Sequence, residues 1–373
     1  MKILIDGRIW SHFSAGIGTF FNCAILEWAR QSSEDTFYVI LPNGLDDKYG
    51  VTTLPKNIIL LDYTKHFPKW LFYIIKLQLL APYLCRKLHI DYYYTPVAHI
   101  PWFIPNYTKT IVTIHDVVNI EMAHTMAWKN RIVNIYFFGQ AVKNADYLWT
   151  NSHYTKSKVK QYFTNRRCHQ IFVGAAVDRS LYFCRHLSDE DAAAIRKKYN
   201  IQGRFILFVG SLEPRKNLTF LLQIIPELYR EHSIQLVVVG GKGWKNSELK
   251  EIVESPDFPK ESTIFCGFVS NDDLAKLYNT ADCFVSAALM EGFGMPQLEA
   301  LLCGCPVVTA HNTAMIEVAE GKDGAYTVEG YDPKKWIDTI VDVVKNHPKV
   351  NQEKLTEYDW ELIIRKLNEW LRK

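Results

Sequence analysis

Short runs of apolar and β-branched residues alternate along this chain with longer segments whose apolar positions recur at helical spacing. The short runs read as buried parallel strands and the longer segments as the helices covering them, which is the signature of an α/β protein. In the first half the pattern predicts strands over 2–5, 36–41, 58–61, 92–94, 110–114 and 147–150, with 171–172 as the last. In the second half it predicts strands over 205–209, 235–239, 263–265, 283–286 and 306–309. Two successive sets of βα units predict two doubly wound, Rossmann-like domains, each binding its ligand at the carboxyl ends of its strands. The segment Gly174-Ala175-Ala176-Val177-Asp178, leading into a charged helix-like stretch, divides them into 1–178 and 179–357. Beyond that, Trp360, Ile363, Ile364, Leu367, Trp370 and Leu371 recur at helical spacing, so 358–373 is expected to be an amphipathic helix packed on a domain face.

A length of 373 residues suits two domains, and a composition 48% hydrophobic and 22% charged excludes wholesale disorder and fibrous repeats. The net charge of +3 conceals an asymmetry: residues 1–175 hold 19 basic and 11 acidic side chains, residues 176–373 hold 24 and 29. Either the first half meets an anionic partner or surface, or the surface composition simply scatters. The eight cysteines are spread out with no paired CxxC clusters and read as free thiols. Met1-Lys2-Ile3-Leu4-Ile5-Asp6 breaks its apolar run at once, so no signal peptide is expected. The apolar stretch 65–87 is interrupted by Lys76, Gln78 and Pro82 and does not read as a membrane span. Between Tyr63 and Ile90 stand five Lys or Arg, no Asp or Glu, and several aromatics. That composition fits a helix on an anionic bilayer surface or, equally, a core helix with a basic solvent face.

Several loops at predicted strand ends carry candidate chemistry. Gly16-Ile17-Gly18 opens a helix after the first strand, where bare amides can meet a phosphate, although a two-glycine βα turn is often only a turn. Gly210-Ser211-Leu212-Glu213-Pro214-Arg215-Lys216-Asn217 sets two cations before a helix, suited to a diphosphate or to plain solvation. Gly240-Gly241-Lys242-Gly243 follows another strand and fits either role. Glu291-Gly292-Phe293-Gly294-Met295-Pro296-Gln297-Leu298-Glu299-Ala300 puts one carboxylate on a loop and another on the helix behind it, with open amides between, an arrangement able to bind sugar hydroxyls and a ribose. His115-Asp116 ends a strand at the side where such folds bind ligands. Asp189-Glu190-Asp191 matches a metal-binding string, but Ser188 before it and Ala192-Ala193-Ala194 after it predict a capped helix start, and no metal is expected.

Taken together, these residues resemble the retaining glycosyltransferases of the GT-B fold, family 4 in the usual sequence classification. The resemblance rests on Gly16-Ile17-Gly18, Thr113-Ile114-His115-Asp116, Thr150-Asn151-Ser152-His153-Tyr154-Thr155-Lys156, 210–217, 291–300 with Cys303-Gly304-Cys305-Pro306-Val307-Val308, and Glu317-Val318, in order and spacing. It implies an acceptor-binding first domain onto which the final helix 358–373 returns, and a second domain, 179–357, that binds a nucleotide sugar. Catalytic roles fall by resemblance on His115 beside the sugar, Glu291 on the transferred sugar and Lys216 on the diphosphate, with Arg215 and the amides near Gly16 and Gly18 assisting. Glu299 would take the ribose, the amides of Phe293, Gly294 and Met295 the sugar hydroxyls, and Cys266-Gly267-Phe268-Val269 the base. Two positions depart from the family pattern: Ser211 stands where several relatives carry Arg, and Ala15-Gly16 replaces a glycine pair.

The expected activity is therefore hexosyl transfer from a GDP- or UDP-sugar, with mannose from GDP-mannose the first choice. The acceptor would be a saccharide or lipid-linked saccharide of surface polysaccharide, at the cytoplasmic face of the membrane, reached through residues 63–90. No cofactor beyond the donor is expected. A sugar-nucleotide epimerase and a catalytically silent sugar-nucleotide-binding membrane scaffold remain as rivals. A nicotinamide dehydrogenase would need a full dinucleotide fingerprint, and nucleic-acid binding a recognisable module; the chain shows neither.

Overall fold

The computed structural model describes residues 1–11, 16–41, 54–63, 73–122, 128–241 and 247–372. The chain divides into two compact units, Met1–Val177 with Tyr358–Lys373, and Asp178–Glu357. The first contains β1 (Lys2–Asp6), α1 (Ile17–Gln31), β2 (Thr36–Leu41), β3 (Ile58–Asp62), α2 (Tyr73–Leu88), β4 (Tyr92–Thr95) and β5 (Lys109–Ile114). It continues through α3 (Val118–Glu121), α4 (Trp128–Asn144), β6 (Tyr147–Thr150), α5 (His153–Tyr162) and β7 (Ile171–Val173). The second contains α6 (Asp189–Lys198), β8 (Arg204–Val209), α7 (Leu218–His232), β9 (Ile234–Val239), α8 (Ser247–Glu254), β10 (Thr263–Gly267) and α9 (Asn271–Thr280). After these come β11 (Cys283–Ser286), α10 (Met295–Leu302), β12 (Val307–Ala310), α11 (Met315–Ala319), β13 (Ala325–Val328) and α12 (Pro333–Asn346); α13 (Trp360–Leu371) belongs to the first unit.

Both sheets are parallel throughout, in the orders β3-β2-β1-β4-β5-β6-β7 and β10-β9-β8-β11-β12-β13. Ile3, Leu4 and Ile5 of β1 and Phe205 to Phe208 of β8 are buried on both faces, which explains runs of apolar residues without alternation. Each order reverses once, between β1 and β4 and between β8 and β11, and at such a switch point the loops leaving the two strands diverge to leave a crevice. β13 was not expected from the sequence: only Val328 of its four residues is buried, so this edge strand has no continuous apolar run.

In the first unit α1 buries Phe20, Phe21, Ala24, Ile25 and Trp28. α13 lies against α1, where Trp28 Nε1 donates to Asn368 Oδ1 at 2.9 Å and Trp360 meets Phe20 edge to face. α2 turns Leu77, Leu80, Ala81, Leu84 and Cys85 into the core and leaves Leu79, Tyr83, Arg86 and Lys87 exposed. It is thus a core helix with an apolar and basic outer face; residues 64–72 of the basic stretch lie outside the described residues. No helix among the described residues is long and apolar enough to cross a membrane. In the second unit Ser188 Oγ accepts from the Asp191 amide at 3.1 Å, so Asp189-Glu190-Asp191 forms the acidic first turn of α6. No group of three or more His, Cys, Asp or Glu side chains among the described residues is placed to hold a metal ion.

Candidate functional site

The switch point of the second sheet gathers most of the charged residues singled out in the sequence. Beyond β8 the chain makes a single tight turn, Pro214–Lys216, closed by Asn217 in the left-handed conformation, φ 53°, before α7 begins. This reversal returns Arg215 and Lys216 toward the sheet end. Across the switch, the loop from β11 to α10 is tied to that turn by the Leu289 amide, which donates to the Arg215 carbonyl at 2.7 Å. Glu291 then receives both cations: Lys216 Nζ forms a short ion pair with Oε1, and Arg215 Nη1 lies 3.3 Å from Oε2. Arg215 is also held by Glu213, Nε to Oε2 at 2.8 Å. Burial pushes the Glu291 carboxyl up, but the adjoining Lys216 and Arg215 charges outweigh it, and the group lies below its ordinary value and is ionised.

Glu299 has the opposite character. α10 starts at Gly294, whose φ of 92° favours glycine, and carries Met295 and Pro296 in its first turn. Phe293 and Gly294 are buried, Met295 half-buried. Glu299, one turn further on, points inward to Tyr278 of α9, whose hydroxyl donates to Oε2 at 2.9 Å. Burial raises this carboxyl to about 7, against the smaller lowering effects of the Tyr278 hydrogen bond and the Lys216 charge. Two glutamates eight positions apart therefore sit in one site with different protonation behaviour, one fixed as an anion and one poised near neutrality.

Beside this cluster, the ends of β8, β9 and β10 bring Gly210, Gly240 and Gly267 together; the Gly240 amide donates to the Gly267 carbonyl at 2.8 Å. A Cβ on Gly240 would lie 1.9 Å from the Gly210 oxygen, and φ there is 147°, so glycine is required. Phe268 is 72% exposed, lies over Gly241 and, with Leu212, Leu249, Val253 and Phe265, lines an open pocket of about 740 Å³. Val269 follows, half-buried. Lys242 and Gly243 lie outside the described residues.

His115, Gly16 and Gly18 belong to the first unit. Gly16 is the N-cap of α1, φ 61°, and Gly18 is buried in the first turn. His115 Nε2 lies 2.7 Å from the Pro96 carbonyl and Nδ1 3.0 Å from the Asn151 amide nitrogen. The partners assign the tautomer: Nε2 carries the proton and Nδ1 accepts. Burial lowers its pKa more than Pro96, Asp116 and Asn151 raise it, so the ring is neutral with both nitrogens engaged within the unit. Tyr278 was missed in the sequence, where it reads as one more apolar position of α9, and so were Asn312 and Thr313, whose side chains reach Ala288 and Glu291.

Residues 203–346 match the family model described as glycosyl transferases group 1. Among curated proteins, the O-antigen chain mannosyltransferase B of Escherichia coli is 31% identical over 56% of this chain and 55% of its own length. The serotype-specific mannosyltransferase WbdA of Escherichia coli is 27% identical over 62% of this chain and 28% of its own. The chain thus spans about half or less of the length of these relatives. Among solved structures, HepE from Anabaena in complex with UDP-glucose aligns with a TM-score of 0.73 at 18% identity, covering 100% of this chain and 99% of that one. Sucrose-phosphate synthase from Thermosynechococcus elongatus aligns with a TM-score of 0.74 at 15% identity, covering 100% and 98%. The fold is shared with these structures over the whole chain.

Proposed function

We propose that this chain, whose residues 203–346 match the family model of the glycosyl transferases group 1, transfers a hexose from a nucleotide sugar to a saccharide or lipid-linked saccharide acceptor, with retention and without a metal. The observation that carries this reading is the cluster at the switch point of buried Lys216 and Glu291 with half-buried Arg215, and Glu299 in the helix behind it. Departure of a nucleoside diphosphate from an anomeric carbon develops charge on the phosphate, so the reaction needs electrostatic stabilisation there more than a strong base. Lys216 and Arg215 supply it. Glu291, now their counter-ion, would be released toward a sugar hydroxyl as the diphosphate takes over the cations. Glu299 accepts from the ribose, the Phe293, Gly294 and Met295 amides meet the sugar, and Phe268 and Val269 flank the base in the pocket over Gly241. The amides of Gly16 and Gly18 add to phosphate binding. His115, with both nitrogens engaged, acts as a neutral positioning group for the sugar rather than as a proton carrier.

Mannose from GDP-mannose is the preferred donor, supported by the names of the two Escherichia coli relatives. UDP-glucose is the second reading, supported by the ligand of the Anabaena structure. The outer face of α2 supports peripheral association with an anionic membrane at its cytoplasmic side: Tyr83, Arg86 and Lys87 are exposed beside Trp102 and Phe103. The loop bearing those two aromatics is tied to α2, the Trp102 amide donating to Gln78 Oε1 at 2.8 Å and Arg86 to the Phe103 carbonyl at 3.2 Å. A thermal-shift titration with UDP, GDP, ADP and dTDP tests the reading, because a ligand at about 100 times its Kd stabilises by about 2.7 kcal/mol. GDP is expected to win, and product analysis should show sugar on the acceptor. Response to none of the four, with no donor consumed, overturns it; donor isomerised without acceptor favours the epimerase.

A further inference from the structure

Thr313 occupies a backbone conformation that its side chain disfavours. Its φ is 50°, in the left-handed region where a β-branched residue is an outlier. The other non-glycine residues with positive φ among those described are His89, Asn200, Asn217, Ser233 and His347, none of them β-branched, and each follows a helix or a helical turn. Thr313 instead precedes a helix, in the loop from β12 to α11. A glycine would satisfy that backbone at no steric cost, so the side chain must contribute something that glycine lacks.

The contribution is a hydroxyl in the middle of a network. Thr313 Oγ1 accepts from the Glu291 amide at 3.2 Å and donates to Asn312 Oδ1 at 3.1 Å. Asn312 Nδ2 donates to the Ala288 carbonyl at 3.0 Å and to Tyr331 Oη at 3.1 Å, and Tyr331 Oη donates to the same carbonyl at 3.2 Å. Gln297 Nε2 of α10 donates to the Met315 carbonyl at 3.1 Å. Residues 312–315 therefore grip the loop that bears Glu291 at both its ends. We infer that Thr313 is a positioning residue: its strained backbone and its hydroxyl fix the Glu291 peptide, and so the place of the Glu291 carboxylate between Lys216 and Arg215. The importance of that placement for transfer rests on the transferase reading above.

The test compares Thr313→Ser, Thr313→Gly and Thr313→Val by amide hydrogen exchange of 288–294 and by steady-state transfer. Thr313→Gly relieves the strain and should unfold at no lower temperature than the parent, yet the Glu291 amide should exchange about tenfold faster, the equivalent of one lost hydrogen bond. Its kcat should fall about tenfold with donor KM little changed. Thr313→Ser, which keeps the hydroxyl, should restore both. A Thr313→Gly protein with parental exchange and parental kcat overturns the inference, since a packing role predicts that result. If the parent itself shows no transfer, the transferase reading fails while the exchange of the Glu291 amide still decides the role of Thr313.

Discussion

The Tyr278 hydroxyl donates a 2.9 Å hydrogen bond to Glu299 Oε2, and both side chains are buried. Burial holds Glu299 at about 7, and the phenol keeps it from rising further. Because the folded value is raised, the stabilisation from the protonated carboxyl is present below the ordinary carboxylate pKa and is lost as pH rises through about 7. A ribose hydroxyl needs the carboxylate as acceptor, so nucleoside diphosphate affinity should strengthen as pH rises through that value. Calorimetric Kd values from about pH 5.5 to about pH 9 check this. Glu299→Gln should flatten the profile while keeping the ligand's own titration, and Tyr278→Phe should move the midpoint upward; an unmoved midpoint in Tyr278→Phe refutes the coupling.

Lys216 and Arg215 share the Glu291 carboxylate, so its removal takes that anion from buried Lys216 while Arg215 keeps Glu213. Glu291→Gln should cost about 2 kcal/mol of stability, discounted from the fully buried case because Arg215 is partly exposed. Added nucleoside diphosphate should recover most of that loss by supplying the missing anion. Transfer should fall at least about tenfold, roughly 1.4 kcal/mol, in both Glu291→Ala and Lys216→Ala. Since Glu291 lies below its ordinary value, its stabilising pair is intact above the unfolded carboxylate pKa and is lost as pH falls through the lowered one. Unimpaired transfer by both alanine variants removes these assignments.

Gly240 and Gly241 are neighbours with different constraints. A Cβ on Gly240 meets the Gly210 carbonyl oxygen at 1.9 Å, backbone against backbone, so Gly240→Ala should destabilise by about 3 kcal/mol or more. A Cβ on Gly241 would meet the Phe268 ring at 2.2 Å, but that ring is exposed and can swing aside. Gly241→Ala should therefore melt close to the parent while binding nucleotide more weakly. Equal melting losses in the two variants contradict this.

The aromatic and basic face of the first unit gives a binding prediction. Trp102→Ser with Phe103→Ser removes two exposed side chains without touching the core, and should weaken flotation with anionic liposomes at parental melting temperature. Arg86→Gln with Lys87→Gln should act only where the vesicles carry anionic lipid, at about 1 kcal/mol per charge. No preference of the parent for anionic over neutral vesicles counts decisively against membrane docking.

The fold class was legible along the chain: the apolar runs at 36–41, 147–150 and 283–286 coincide with β2, β6 and β11, and Ser188 marks the start of α6. These signals are local, carried by residues a few positions apart, so they are readable along the chain. β13 escaped because an edge strand with one buried residue leaves no such run. The same locality explains why Glu291 and Glu299 stood out in the sequence while their difference did not. Glu291 is ionised by Lys216, 75 positions away, and Glu299 is bonded to Tyr278, 21 positions away, and both carboxylates are removed from water by the packing around them. His115 was legible as a strand-end residue, but only the fold shows Pro96 and Asn151 taking its two nitrogens. Protonation, tautomer and the strain at Thr313 are decided by neighbours that the strand order delivers, because electrostatic and hydrogen-bond energies depend on distance in space and not on distance along the chain.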